Sequence, residues 1–107
     1  MAIKLRTKRP DKALRDIVEA LKQYQSAHPR AKIEVYRHNS VSVRIRVVNP
    51  EFSGQSWGKR EDDLWAILDQ LPEDIVAEIS VLLLLTPEEA EASFANFEFD
   101  HPISSQL

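Results

Sequence analysis

Glu73-Asp74-Ile75-Val76-Ala77-Glu78-Ile79-Ser80-Val81-Leu82-Leu83-Leu84-Leu85 admits two readings, and the fold turns on which one holds. Ile75, Ile79, Leu82 and Leu83 recur at helical spacing, whereas Ile79, Val81, Leu83 and Leu85 alternate as in a strand against Glu78 and Ser80. Closure arbitrates. The chain upstream supplies one β-hairpin, which is marginally stable in water until a third strand joins it. The stretch is therefore read as a short helical turn at 73–76 and a strand at about 78–85, lying beside the hairpin.

Working outward, Glu61 to Leu71 places Leu64, Trp65, Leu68 and Leu71 on one helical side, and Pro72 ends it. Before it, a loop from Glu51 to about Lys59 holds both glycines, Gly54 and Gly58. Ile33 and Val35, then Val41, Val43, Ile45 and Val47, alternate with polar residues on either side of His38-Asn39-Ser40, which predicts the hairpin, closed by Asn49-Pro50. Asp11 caps a helix that ends at Ala27-His28-Pro29. Downstream, Thr86-Pro87-Glu88-Glu89 starts a helix with a capping box, running to about Ala95, and Phe97, Phe99 and Ile103 alternate in a sticky tail. The expected architecture is α+β, a two-layer α/β sandwich of order α-β-β-α-(α)-β-α with a three-stranded mixed sheet. Residues 1–10 read as a flexible basic arm, 11–95 as one domain and 96–107 as a C-terminal tail. The expected core is Leu14, Ile17, Leu21, Val43, Ile45, Leu64, Leu68, Ile79, Val81 and Leu83.

Composition bounds the function. With 107 residues, no Cys, two Gly and 43% hydrophobic residues, the chain has room for one modest core, and collagen-like, disordered and disulfide-scaffold classes are excluded. The longest apolar run, Val81 to Leu85, is far short of the roughly 20 residues of a membrane helix, and no apolar stretch follows the basic N-terminus, so no membrane partner and a cytoplasmic location are expected. The net charge of −3 hides an asymmetry: residues 1–60 hold all 14 Lys and Arg against five acids, a net +9, while 61–107 hold twelve acids and no cation, a net −12. Either the halves lie together and neutralise one another as surface ion pairs, or a basic face steers a polyanion or acidic protein.

The element order, together with particular residues, resembles the BolA-like family. The strand Val43 to Val48 leads to Phe52 and Gly54 in the loop, Arg60 opens the next helix, and the later strand runs into Thr86 and Glu89. The likeness spans residues 12–93. It implies a class II KH-like fold. In that family a histidine follows the arginine and, with a partner glutaredoxin, holds an iron–sulfur cluster; here Glu61 stands in that place, a hard ligand poorly matched to such a site. The hairpin turn, which carries a further candidate ligand in the family, is shortened to His38-Asn39-Ser40. No cofactor is therefore expected, neither cluster nor zinc.

Candidate contact residues fall in two places. Tyr36, His38, Arg44 and Arg46, with Glu34, lie on the open face of the hairpin, where aromatic and guanidinium groups stack bases or grip an acidic peptide, or where Glu34 simply pairs with an arginine across the strands. Phe52, Gly54, Trp57, Lys59 and Arg60 lie at the glycine loop, where a loop opening a helix offers N–H groups and cations to a phosphate, although Asp62 and Asp63 follow at once. Gly54-Gln55-Ser56-Trp57-Gly58 also spells the nucleophile-elbow string of serine hydrolases, which requires a strand before it, a helix after it, and Asp and His partners, for which the chain offers Asp100-His101. His28, His38 and His101 lack metal-ligand spacing. The expectation is a non-enzymatic interaction domain that binds a protein partner through the open sheet face and the glycine loop. Nucleic-acid binding through the basic half is the alternative, and a small serine hydrolase the remote one. A homodimer is expected if apolar Leu82 and Leu84 emerge opposite Val81 and Leu83; the tail folding back over them would leave a monomer.

Overall fold

The computed structural model describes residues 3–92 and 94–101. Four strands, β1 (Ile3–Leu5), β2 (Lys32–Asn39), β3 (Ser42–Val48) and β4 (Ile79–Leu85), form one mixed sheet in the order β1-β2-β3-β4. The β2–β3 pair is antiparallel, whereas β1–β2 and β3–β4 are parallel. Helix α1 (Lys12–Ala27) and helix α2 (Trp57–Leu68) cover one face. Their residues Leu14, Ile17, Leu21, Tyr24, Leu64 and Leu68 meet Ile33, Val35, Val43, Ile45 and Val47 in the buried core. Asp11 caps α1, accepting from the Leu14 N–H at 2.9 Å.

The ambiguous stretch resolves as helix α3 (Glu73–Val76) followed by β4. Its register departs from the sequence expectation. Val43 pairs with Ile79 but Arg44 pairs with Val81, so Ser80 is an extra residue in the strand. Beyond that bulge the inside–outside alternation reverses, because side chains alternate with a period of two and one inserted residue flips all that follow. Leu84 takes the core position, Leu82 packs partly against the core, and Val81 and Leu83, expected inside, share the opposite face with Arg44 and Arg46.

Three further corrections concern the ends and the loop. The sheet has four strands rather than three, because Ile3 and Leu5 of the expected basic arm pair with β2 and pack against the core. A three-residue strand carries too little periodicity to register in sequence, and here it is held by Arg6 N–H to the Val35 carbonyl and by Thr7 Oγ1, which accepts from the Arg37 N–H. The loop after β3 is shorter than expected: Pro50–Phe52 form a 3₁₀ turn and α2 begins at Trp57, capped by Ser56, so Gly58 lies inside the helix. The helix after Thr86 is two helices, α4 (Pro87–Ala92) and α5 (Phe94–Asp100), and α5 lies over the second face of the sheet, adding a partial third layer to the expected two. Of the tail residues 96–107, Ile103 and the rest of 102–107 fall outside the described residues.

Candidate functional site

The face that the hairpin pattern leaves open is covered by α5. Tyr36 Oη donates to the Phe99 carbonyl at 2.5 Å and accepts from Arg44 Nη1 at 3.0 Å. Arg44 Nη2 pairs with Glu98. Arg46 donates to Asn96 Oδ1 at 2.7 Å and Asp100 Oδ2 at 3.0 Å, and also pairs with Glu34, its cross-strand partner. Arg6, from the end of β1, reaches Asp100 at 2.9 Å. The fully buried Phe99 ring lies within 6 Å of three guanidinium carbons, at 5.7 Å from Arg6, 5.7 Å from Arg44 and 4.7 Å from Arg46, with Tyr36 edge-on at 5.1 Å. Burial of Asp100 opposes its ionisation, but hydrogen bonds from Arg46 and Arg6 outweigh it and hold the carboxyl below its ordinary value.

The Tyr36 hydroxyl and the terminal nitrogens of Arg44 and Arg46 are thus engaged inside the molecule, Arg46 Nε being buried with no partner among the described residues, and the open face of the sequence reading is closed. The fourth member of that group, His38, is exposed at the end of β2 and takes no part in this network. Sequence reasoning raised Asp100 only as a triad partner and Phe99 only within a tail that folds back, and named neither these nor Arg6 and Glu98 as partners of the hairpin arginines. The available signal was the charge asymmetry itself, since a −12 segment with alternating phenylalanines has a complementary surface in a +9 segment that exposes a row of arginines.

The second candidate cluster stands at the start of α2. Ser56 Oγ accepts from the Lys59 N–H at 3.2 Å, so the hydroxyl of the G-x-S-x-G string is a helix cap; a 3₁₀ turn, not a strand, leads into it, and Asp100 is bound to Arg6 and Arg46. Gly54 has a φ of +79°, the left-handed conformation that the turn demands and that glycine supplies without strain. Phe52 is buried in the core. Arg60 is only 5% exposed and faces inward. It donates to the Gln55 carbonyl at 3.2 Å, the Leu84 carbonyl at 3.0 Å and both oxygens of Glu89 at 2.6 and 3.1 Å. Arg60 is therefore a structural clamp, and Lys59 is the cation left at the helix start. Glu89 completes the expected capping box, exchanging hydrogen bonds with Thr86 at 3.0 and 3.2 Å. The Arg60 hydrogen bonds, reinforced by the Thr86 N–H, hold its carboxyl at about 2.

Trp57 stands outside this clamp. Its ring is 55% exposed, the Arg60 guanidinium lies 4.5 Å from its centroid, and it borders an apolar recess of about 200 Å³ with Leu85, Glu89 and Ala92. Trp65, on the apolar side of α2 with Leu64 and Leu68, is half-buried at the rim of the core and donates from Nε1 to Glu61 at 3.1 Å. That contact occupies the carboxylate standing where the resembled family has its histidine.

Among the described residues, no group of three or more His, Asp or Glu side chains converges to hold a metal ion, and no helix is long and apolar enough to cross a membrane. The charge halves do meet: Arg6–Asp100, Arg37–Glu78, Arg44–Glu98, Arg46–Asp100 and Arg60–Glu89 all join residues 1–60 to residues 61–107. No family model, curated protein or solved structure matches the chain.

Proposed function

We propose that this chain is a non-enzymatic protein-interaction domain of BolA-like, KH-like architecture, and that it engages its partner at the start of α2, around Trp57, Lys59 and the Gly54 turn. One observation carries the reading: a tryptophan more than half exposed, stacked with an arginine whose three nitrogens all donate within the molecule, and bordering an apolar recess. Large amphipathic rings held rigidly at the surface are the residues around which binding energy concentrates in protein interfaces. The architectural part of the proposal draws support from the antiparallel β2–β3 hairpin followed by a parallel β4, and from Phe52, Gly54, Arg60 and the Thr86–Glu89 box standing around one end of the sheet. Cluster binding does not carry over, because Glu61 stands in place of the family's histidine.

The test is site-specific photocrosslinking in the cell of origin. A photoreactive amino acid in place of Trp57 should trap one defined partner protein, the same probe in place of Gln70, in the turn that follows the far end of α2, should not, and Ala92→Arg, which fills the recess, should abolish the adduct at position 57. Equal trapping at both positions, or none at either, removes the reading.

A second reading, nucleic-acid binding, is favoured by a specific observation. Lys4, Lys8, Arg9, Arg30, Lys32 and Lys59 are exposed and have no carboxylate partner among the described residues. If they contact phosphates, the chain is retained on single-stranded RNA at low salt and released steeply as salt rises, since each phosphate contact liberates a counterion. Passage through such a column at low salt eliminates this alternative.

A further inference from the structure

Helix α5 is an unusual cover for a sheet. A structural cover hides mainly apolar side chains that water rejects, but the side-chain contacts of α5 are with Tyr36 and three arginines, groups that water accepts readily, on a face that Val81 and Leu83 share. Much of its hold is polar: Asn96, Glu98 and Asp100 face guanidinium groups, Phe99 is fully buried, and Phe97 is 59% exposed. When α5 is seated, the arginines lose their water and recover that loss through ion pairs, two terms that nearly cancel. When it lifts, Tyr36 and the arginines return to water beside Val81 and Leu83, and the domain beneath keeps its separate core between the sheet and α1 and α2. The polar contacts therefore add little to the hold on α5, which rests mainly on the buried Phe99 ring, as suits a site with a removable occupant.

The occupant also defines what the site recognises. A phenyl ring is surrounded by three guanidiniums and the edge of Tyr36, and the residues on either side of it, Glu98 and Asp100, each place a carboxylate on an arginine. Charge-assisted pairs flanking a cation–π nest select for acidic residue, aromatic residue, acidic residue, in that order, on a short helix.

We propose that the face formed by Arg6, Tyr36, Arg44 and Arg46 is a binding site for a helical segment of a partner protein bearing a phenylalanine flanked by carboxylates, and that α5 occupies it in this structure as a built-in competitor. This site lies apart from the Trp57 recess and does not depend on the reading given for it. The tether gives α5 an effective concentration on the order of millimolar, so an untethered ligand competes only when α5 is weakened.

The experiment uses the full chain and a fluorescein-labelled peptide of residues 94–101. Phe99→Ala removes the apolar anchor of the cis helix, and Asp100→Lys, at a half-exposed position outside the core, repels it from Arg6 and Arg46. Both variants should bind the peptide saturably at least about tenfold more tightly than the unaltered chain, and a peptide carrying Glu98→Lys and Asp100→Lys should lose at least about tenfold in affinity. Trp57→Ala should leave peptide binding unchanged, which separates this site from the recess. Folded variants that ignore the peptide, or that bind the charge-reversed peptide equally well, overturn the proposal. So does unfolding of both variants, which would make α5 a structural element, and so does an opened face that takes short single-stranded RNA in preference to the peptide.

Discussion

The Arg60 guanidinium meets the Glu89 carboxylate at both ends, Nη1 to Oε1 at 2.6 Å and Nη2 to Oε2 at 3.1 Å, and Nη1 also reaches the Leu84 carbonyl at 3.0 Å. The neighbouring Leu85 carbonyl accepts from the Asn49 N–H on the β3 side, so by strand alternation the Leu84 carbonyl points to the outer edge of β4. Arg60 thus ties the first turn of α2 to the first turn of α4 and occupies the end of an apolar edge strand that would otherwise be open to pairing with another chain. Arg60→Ala should lower stability by about 2 kcal/mol, less than a fully enclosed pair would lose because Glu89 keeps contact with water, and should promote association. Denaturant unfolding and sedimentation at matched concentrations check both; an unchanged midpoint with a monomeric variant contradicts the clamp.

The same pair sets an acid-sensitive window. Arg60 and the Thr86 N–H depress the Glu89 carboxyl from its ordinary 4.5 to about 2. A carboxyl depressed by folding contributes stability above its unfolded value and loses that contribution as pH falls through the folded one, so the loss runs from about 4.5 down to about 2. Asp100 acts in the same direction, below its ordinary 3.8. Stability measured against pH should therefore fall across this window, and Glu89→Gln should flatten part of the fall. A Glu89→Gln curve that follows the unaltered protein through acid would show that the pair is not linked to folding.

The bulge at Ser80 makes a comparison between adjacent leucines informative. Leu84 is 1% exposed in the core, whereas Leu83 is half-buried on the opposite face. Leu84→Ala should cost about 3 kcal/mol through lost transfer energy and the cavity left behind, and Leu83→Ala about 1 kcal/mol. Equal losses, or the reverse ranking, would mean that the strand runs without the extra residue.

The two glycines should respond oppositely to alanine. Gly54 has positive φ, so Gly54→Ala should destabilise by about 1 kcal/mol. Gly58 lies within α2 and a methyl group there meets open space, so Gly58→Ala should stabilise by up to about 1 kcal/mol. Thermal midpoints of the two variants, moving apart from that of the unaltered chain, are the readout.

Local periodicity and capping chemistry made several elements legible. The spacing from Leu14 to Tyr24, the alternation from Val43 to Val47, Asp11 as a cap and the Thr86–Glu89 box each express interactions within a few residues, and each appears in the structure. The division of 73–85 into a turn and a strand was also readable, because an isolated hairpin needs another strand. The faces were not. One extra residue at Ser80 exchanges Val81 and Leu83 for Leu82 and Leu84, and only pairing with β3 reveals it. Nor could sequence show that Ile3–Leu5 would add a strand, since three residues hold no period and gain order only from the β2 edge. Arg44, Arg46 and Arg60 were legible as contact residues, but whether a guanidinium faces a partner or the chain's own carboxylate depends on what the fold brings within reach across 54, 54 and 29 residues of sequence. Sequence determined which groups need a partner; tertiary structure decided which partner each one meets, because ion pairing acts through space and local pattern extends only a few residues.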